Sequence, residues 1–471
     1  MQIISTIKNT IYISDIDLTI PCSDKSVFIS SDNLKKSKML QSMIIDGYFK
    51  ILEYNSNERI ESNLAELCKK NGIDISGIEL IKNNNHQTVN YSIKSNPDND
   101  FVIQIQGHML EAGGYAKVNR NLIFGLSNVG FNIVAKPLKS LNNNLKKDEL
   151  EKLSFFINKN YSVPLISIDS MIPTFGKESN SRYKILYTTI ESYSIPQQFI
   201  DTANIYNEIW VVSDFCKNIL SKYGIKKPIY VMPNSIDINH YTMQGEKYSF
   251  DNKMKNFIFV SVFGWGYRKG YDVLLKAFCE EFTADDNVSL LLITRNPMGR
   301  ENVIKETIQK YLSFYKNPPI IIRTSSVIPE NDMPKIYRAC NAFVLFSRGE
   351  AWGLPYTEAS LCGLPVIGTN CSGQTMFLNH DNSYLVDVDD YEAIPTGTMD
   401  IHYWDNQIFP RLKSDKVISE AGKNMRFVYE NYSKAQKKNE LLRKNIITNY
   451  SIDHVINKMK ERLLQIKEKL C

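Results

Sequence analysis

Short apolar runs of strand length alternate along most of this chain with segments whose apolar residues fall near a 3.6-residue period. That alternation predicts an α/β architecture built on parallel sheets. Residues 101–106 (FVIQIQ) read as a strand, and GHMLEAGGYAKVNRNLIFGLSNVG follows as loop and helix, with Val118, Leu122, Leu126 and Val129 on one side and Gly130 as the stop. Further strands are expected at 131–135, 163–168, 184–189, 208–212 and 228–232. Ser213 is a suitable N-cap for a helix over 214–222, which Gly224 would end. The alternation restarts at 256–262, continues through 289–294, a helix at 302–314 and 319–323, and reaches 341–346 and 365–369. Helices are expected over 414–431 and, with Val455, Ile456, Met459, Leu463, Leu464 and Ile466 on one side, over 453–469. A helix is also expected to begin at Gly373 and Gln374 and end near Asn379.

The stretch 349–369, GEAWGLPYTEASLCGLPVIGT, joins two of those strands. Pro355 suits the first helical turn, where its missing N–H costs nothing, and Gly363 suits the C-terminal stop. The unpaired N–H groups of such a helix start favour a phosphate. Glu350 on the loop and Glu358, expected in the first turn, would then accept bonds from hydroxyls on either side of a diphosphate. The plain alternative is that Glu358 only complements the helix dipole and Glu350 is a solvated loop acid. FGWGYRKGYDVLLKAF, upstream, places Gly264 and Gly266 in a tight loop and Arg268 and Lys269 just before a helix. Cations there oppose the dipole, which makes more sense with an anion between them than as a solvated pair. Gly113 and Gly114 sit in the first strand-to-helix turn, where glycine lets the backbone approach a ligand.

The 349–369 stretch closely resembles the donor-site signature of retaining GT-B glycosyltransferases, in the large family 4 type (glycosyl transferases group 1) that includes sucrose synthase and bacterial mannosyltransferases. The resemblance implies two Rossmann-like domains facing a cleft, with the first covering 100–236 as the acceptor domain and the second 237–445 as the nucleotide-sugar donor domain. Residues 446–471 would form a helix packing back on the first lobe. It also implies metal-independent, retaining transfer from a nucleotide-sugar, with no other cofactor. Arg268 and Lys269 would hold the diphosphate, Glu350 the sugar hydroxyls and Glu358 the ribose. Gly113, Gly114, Gly264, Ile328, Trp352, Gly353, Leu354 and Pro355 would line the donor site, with main chain near Ile328 and Pro329 holding the base. His108, Lys117 and Glu191 would face the acceptor; Glu191, in ESYSIPQQFI, is open to a merely local capping or pairing role. The chain departs from the family pattern with Ser235 and Ser383 where glycine is usual, and with Trp265 where many relatives carry arginine. A histidine that touches the sugar in relatives has no counterpart between His108 and His240.

Composition adjusts this picture little. With 471 residues, 43% hydrophobic, the chain is long enough for two or three domains, and a net charge of +5 argues against a dedicated nucleic-acid binder. Stable nucleic-acid binding is expected only if DNA is the acceptor. Eight scattered cysteines without C-x-x-C spacing read as reduced, buried thiols, and no signal peptide or membrane-spanning run is seen, so a cytoplasmic location is expected. The lysine-rich last helix leaves peripheral membrane contact open, although packing on the first lobe is preferred. Residues 1–95 read as a separate, small β-rich module that loosely resembles modules of phage structural proteins, followed by an Asn-rich linker at 83–99. Two rivals to the main reading stand. One is a metal-dependent GT-A enzyme using Asp98-Asn99-Asp100 or Asp387-Val388-Asp389. The other is a silent GT-B scaffold that acts as a binding protein through its N-terminal module. The acceptor is open among a glycolipid or polysaccharide, a protein, and modified phage DNA.

Overall fold

The computed structural model describes residues 101–470 except 112, 139–144, 146, 158–164, 174–180, 251–253, 297–300, 325–327, 389 and 395–405, together with six strands before residue 62. The chain divides into a unit of 1–93 with 158–160 and a larger unit of 94–157 with 161–471. In the smaller unit, Val27–Phe28, Gln2–Ser5, Phe49–Asn55 and Glu58–Glu61 form, in that order, a four-stranded antiparallel sheet, and Ile11–Ile13 pairs with Leu18–Ile20. The linker at 83–99 and the motif at 98–100 lie outside the described residues.

The larger unit holds two parallel six-stranded sheets. In the first lobe β1 (Val102–Gly107), α1 (Gly114–Asn128), β2 (Asn132–Pro137), α2 (Lys147–Ile157), β3 (Ile166–Ser170), β4 (Tyr183–Thr188), α3 (Gln197–Ala203), β5 (Glu208–Val211), α4 (Asp214–Lys222) and β6 (Ile229–Val231) follow one another. The sheet order is β6-β5-β4-β3-β1-β2. Strands β3 and β5 are buried along their whole length, as expected where helices cover both faces of a parallel sheet. Ser213 caps α4 by accepting the Cys216 N–H.

The second lobe runs β7 (Phe257–Gly264), a 3₁₀ turn at Tyr267–Lys269, α5 (Tyr271–Glu281), β8 (Val288–Arg295), α6 (Glu301–Leu312), β9 (Ile320–Thr324), α7 (Met333–Ala339), β10 (Ala342–Leu345), α8 (Leu354–Leu361), β11 (Val366–Asn370) and β12 (Tyr384–Asp387). Its order, β9-β8-β7-β10-β11-β12, reverses direction between β7 and β10. In the first lobe the reversal falls between β1 and β3. In open α/β sheets such reversal points, at the carboxyl ends of the strands, are where ligands bind.

Three helices complete the unit: α9 (Asp415–Glu430), α10 (Tyr432–Tyr450) and α11 (Ile452–Leu470). The last returns to the first lobe, where Ile456 sits so close to Gly125 of α1 that a Cβ there would lie 2.5 Å from it. The Arg462 guanidinium pairs with the fully buried Glu208 of β5. Val455, Ile456, Met459, Leu463 and Ile466 are buried, whereas Leu464, expected on the same side, is 40% exposed. Among the described residues no helix is long and apolar enough to cross a membrane.

The local expectations are corrected at three places. Glu358 lies beyond the first turn of α8, which begins at Leu354 and has no acid in that turn, so complementing the dipole is not its role. The helix expected from Gly373 is a short 3₁₀ turn, Ser372–Met376. Ser235 and Ser383 are absent from the positive-φ residues, so serine replaces the usual glycine there without backbone strain.

Candidate active site

The loops after β1, β4, β7 and β10 meet around a cavity of ≈ 840 Å³ between the lobes, within the range of small-molecule sites. Gly113, Gly114, Lys117 and Glu191 of the first lobe line it, as do Gly264, Lys269, Ile328, Glu350, Trp352, Gly353, Leu354, Pro355 and Glu358 of the second. His108 is outside this lining, its ring paired with Glu111 at 2.9 Å.

Two helices open onto the cavity through glycine N-caps: α1 through Gly113 and α8 through Gly353, neither with a side-chain cap bond. Gly353 has φ +96°, a left-handed conformation that glycine adopts without a Cβ penalty. Uncapped helix starts present N–H donors and the positive dipole end to whatever fills the space. Gly270 lets the Arg268–Lys269 turn approach β10, because a Cβ on it would fall 1.8 Å from the Phe346 carbonyl oxygen.

The charged groups are cross-bonded. Lys269 Nζ donates to Glu350 Oε1 at 2.5 Å, and Arg268 lies 3.8 Å from Glu350 Oε2 and 4.0 Å from Glu191 Oε1 while donating to the Gly349 carbonyl. The Glu350 backbone is fixed by Ser372 Oγ, which accepts its N–H at 3.0 Å, and by Gly373, which donates to its carbonyl. Burial alone would raise the Glu350 carboxyl, but Lys269 and Arg268 outweigh it and hold it below its ordinary value. Lys269 is itself pushed down by burial and by Arg268. Glu191 is pushed up, mainly by burial, with Arg268 opposing and Glu350 reinforcing the shift.

Glu358 is gripped on both oxygens, by Lys117 Nζ at 2.8 Å and by the Tyr337 hydroxyl at 3.1 Å. Lys117, expected on the acceptor side, is thus held among second-lobe acids, with Glu330 at 3.0 Å as well. Trp352 packs its ring on Phe377 and Tyr450 at the cavity edge. Trp265 is buried and stacked 4.2 Å from Tyr271, so the position where relatives carry an arginine serves the core. Asp387 holds His380 at 3.0 Å and Asn370 at 2.8 Å, and Asp389 lies outside the described residues.

Among the described residues, three buried polar atoms on residues lining the cavity have no hydrogen-bond partner: Thr188 Oγ1, Glu191 Oε2 and Thr294 Oγ1. Buried polar groups are normally satisfied, so these mark places where a ligand would complete the site. Tyr115, whose hydroxyl bonds Thr189, stands beside the first two. Sequence reading missed Tyr115, Thr188, Thr294, Glu330, Tyr337 and Ser372, because their partners are distant in the chain and no spacing announces them. The one signal available was position, since Thr188 and Thr294 each fall at the carboxyl end of an expected strand.

Residues 254–400 match the family described as Glycosyl transferases group 1. The chain is 27% identical over 166 residues to mannosylfructose-phosphate synthase of Agrobacterium fabrum, a match spanning 32% of this chain and 35% of that protein; the chain therefore covers about a third of the length of that relative. Sucrose-phosphate synthase from Thermosynechococcus elongatus superposes with a TM-score of 0.57 at 14% identity, over 78% of this chain and 100% of the other. HepE of Anabaena, crystallised with UDP and glucose, does so with a TM-score of 0.51 at 13% identity, over the same shares. The two parallel sheets and the cleft between them are the GT-B fold, and the likenesses together support a GT-B glycosyltransferase whose second lobe resembles the group 1 family.

Proposed function

We propose that the protein is a retaining, metal-independent glycosyltransferase that moves a sugar from a nucleoside diphosphate sugar to an acceptor hydroxyl. One observation carries this reading: Lys269, Glu350, Glu358 and the uncapped starts of α1 and α8 all face one cavity, which matches the layout sugar, diphosphate, ribose. Arg268 and Lys269, with the α8 N–H groups, would stabilise the charge that develops on the departing diphosphate. Glu350 would orient the sugar hydroxyls and Glu358 the ribose. In the transfer, the bond from the anomeric carbon to the β-phosphate oxygen breaks and a bond to the acceptor oxygen forms on the same face. The acceptor's proton passes to the departing phosphate, so no protein nucleophile is needed. Thr188, Glu191 and Tyr115 would hold the acceptor hydroxyl, since two of them offer unpartnered polar atoms on the first-lobe side.

The test begins with thermal unfolding in the presence of UDP, GDP, ADP and CDP sugars, because a true donor raises the midpoint by mass action. The stabilising donor is then incubated with glycan, glycerol-phosphate, peptide and DNA acceptors, with and without EDTA, and the product anomer is read by NMR. A product of unchanged anomeric configuration, formed at the same rate in EDTA, is expected. An inverted product, or transfer abolished by the chelator, would overturn retention or metal independence respectively, and the absence of any stabilising donor would overturn the reading as a whole.

A further inference from the structure

The partners of Lys117 give it a function of its own. Its Nζ donates to Glu358 Oε1 at 2.8 Å and to the Tyr241 hydroxyl at 2.9 Å, and pairs with Glu330 Oε1 at 3.0 Å. An ammonium has three N–H donors, and these three partners use them all. Lys117 rides on the first turn of α1 in the first lobe. Glu330, Glu358 and Tyr241 all lie in the chain beyond β6, on the second-lobe side. The first lobe therefore plugs a cation into the second lobe at the flank of the cavity. Burial pushes the ammonium down, but Glu358 and Glu330 outweigh it and keep it above its ordinary value, so the plug stays charged. Arg120, one turn along α1, faces Glu330 from the same side at 3.7 Å.

The carboxylate of Glu358 is bonded at Oε1 by Lys117 and at Oε2 by Tyr337. A carboxylate has about four acceptor positions, and the Tyr241 hydroxyl bonds this one as well, so roughly one remains on a group that lines the cavity. Held at both oxygens, it cannot turn about its terminal torsion, which is otherwise broad. We propose that Lys117 is a positioning residue: reaching across from the first lobe, it fixes Glu358 so that its remaining acceptor position meets a ribose hydroxyl of the donor nucleotide. Ribose recognition then depends on the two lobes being together. With the lobes apart, Glu358 keeps the hydroxyl bonds of Tyr337 and Tyr241 but loses the Lys117 ammonium, and its carboxylate is held less firmly. The inference rests on the reading above that Glu358 binds the ribose, and the experiment separates the two.

The probe is whichever of UDP, GDP, ADP and CDP binds tightest, measured by calorimetry against its 2′,3′-dideoxy analogue. Wild type should prefer the ribonucleotide by about tenfold or more, the discrimination expected when a buried acceptor loses its donor. Glu358→Gln should remove most of that preference; if it does not, Glu358 does not read the ribose and the functional assignment of that acid fails. Given that control, Lys117→Met should bring the preference to within about threefold, and Lys117→Met/Glu358→Gln should lose no more than Glu358→Gln alone, the signature of two residues acting as one unit. Lys117→Arg, which keeps charge and reach, should retain most of the preference. Lys117→Gln serves as a second variant if the methionine form does not fold, and should show the same loss. A folded Lys117→Met or Lys117→Gln variant that keeps the wild-type ratio overturns the proposal, as does one that weakens both nucleotides equally, because a simple brace would not distinguish them.

Discussion

The two walls of the cavity are built on opposite principles. On the second-lobe wall the ionised groups already hold one another: Lys269 holds Glu350, and Glu358 is held by Tyr337 and by the incoming Lys117. On the first-lobe wall the one carboxylic acid, Glu191, leaves Oε2 without a hydrogen-bond partner, and Thr188 leaves its hydroxyl likewise. On the proposed function, the second-lobe half would be pre-organised for a doubly charged group, with desolvated cations already in place, so that little reorganisation is needed when a diphosphate arrives. The first-lobe half is left incomplete, which on the proposed function would suit a neutral acceptor hydroxyl that brings its own donor and acceptor. Among the described residues the second-lobe wall of the cavity has one orphan of its own, Thr294 Oγ1, on the strand β8 beside the side where the base would sit.

The largest effect should come from breaking the donor wall. Lys269→Ala removes a cation from the departing diphosphate and is expected to lower kcat/KM by about 10²–10³, the usual cost of losing one pre-organised charge-stabilising group. It also strands Glu350, and stranding one partner of a buried pair costs on the order of 3–5 kcal/mol of stability. Lys269→Ala/Glu350→Gln should therefore recover much of the unfolding midpoint without recovering turnover, measured by thermal unfolding beside initial rates. If both recover together, the pair is only a structural brace.

Next comes a change far from the cavity that tests whether the walls are independent of the frame behind them. Arg462→Ala leaves Glu208, 0% exposed, with Tyr183 and Trp210 as its side-chain partners among the described residues. A stability loss of about 3 kcal/mol is expected, seen as a lower denaturant midpoint, with nucleotide affinity of the folded fraction unchanged. A fall in affinity would mean that α11 positions the first-lobe wall directly.

How much of this was legible beforehand follows from what each feature depends on. The helix over 214–222 was readable to the residue because its signals are local: a serine cap, an amphipathic run and Gly224 at φ +80°. The strands were readable because sheets buried on both faces leave continuous apolar runs. The short 3₁₀ turn at Ser372–Met376 was not, since its purpose is to hand a serine hydroxyl and the Gly373 N–H to the backbone of Glu350, and only the folded chain brings those together. Lys117 and Glu358, 241 positions apart, carried the same kind of blind spot. Both were singled out as site residues, yet no sequence pattern tells that one would seat the other.

A smaller effect belongs to the acceptor wall. Glu191→Ala should reduce transfer by roughly 10- to 100-fold, typical of one lost positioning group, while leaving the affinity for nucleoside diphosphate as in wild type. Equal losses in both would join Glu191 to the donor half and erase the contrast between the walls.

The finest test uses pH, because the two acids titrate in opposite senses. Glu350 has its folded value below the unfolded one. Its pairing therefore stabilises fully above the unfolded carboxyl pKa of about 4.3 and fades as pH falls through the folded value. Glu191 has its folded value above the unfolded one. Stability is then whole below about 4.3, declines as pH climbs toward the folded value, and stays lowered beyond it. Unfolding midpoints of Glu350→Gln and Glu191→Gln, each taken relative to wild type across the acid-to-neutral range, should diverge as pH rises. The Glu350 variant becomes progressively less stable than wild type and the Glu191 variant progressively more stable, and both differences shrink toward zero in acid. Differences of the same sign at neutral pH would show that both walls are charged alike, and the division into a pre-paired donor face and an unfilled acceptor face would not survive.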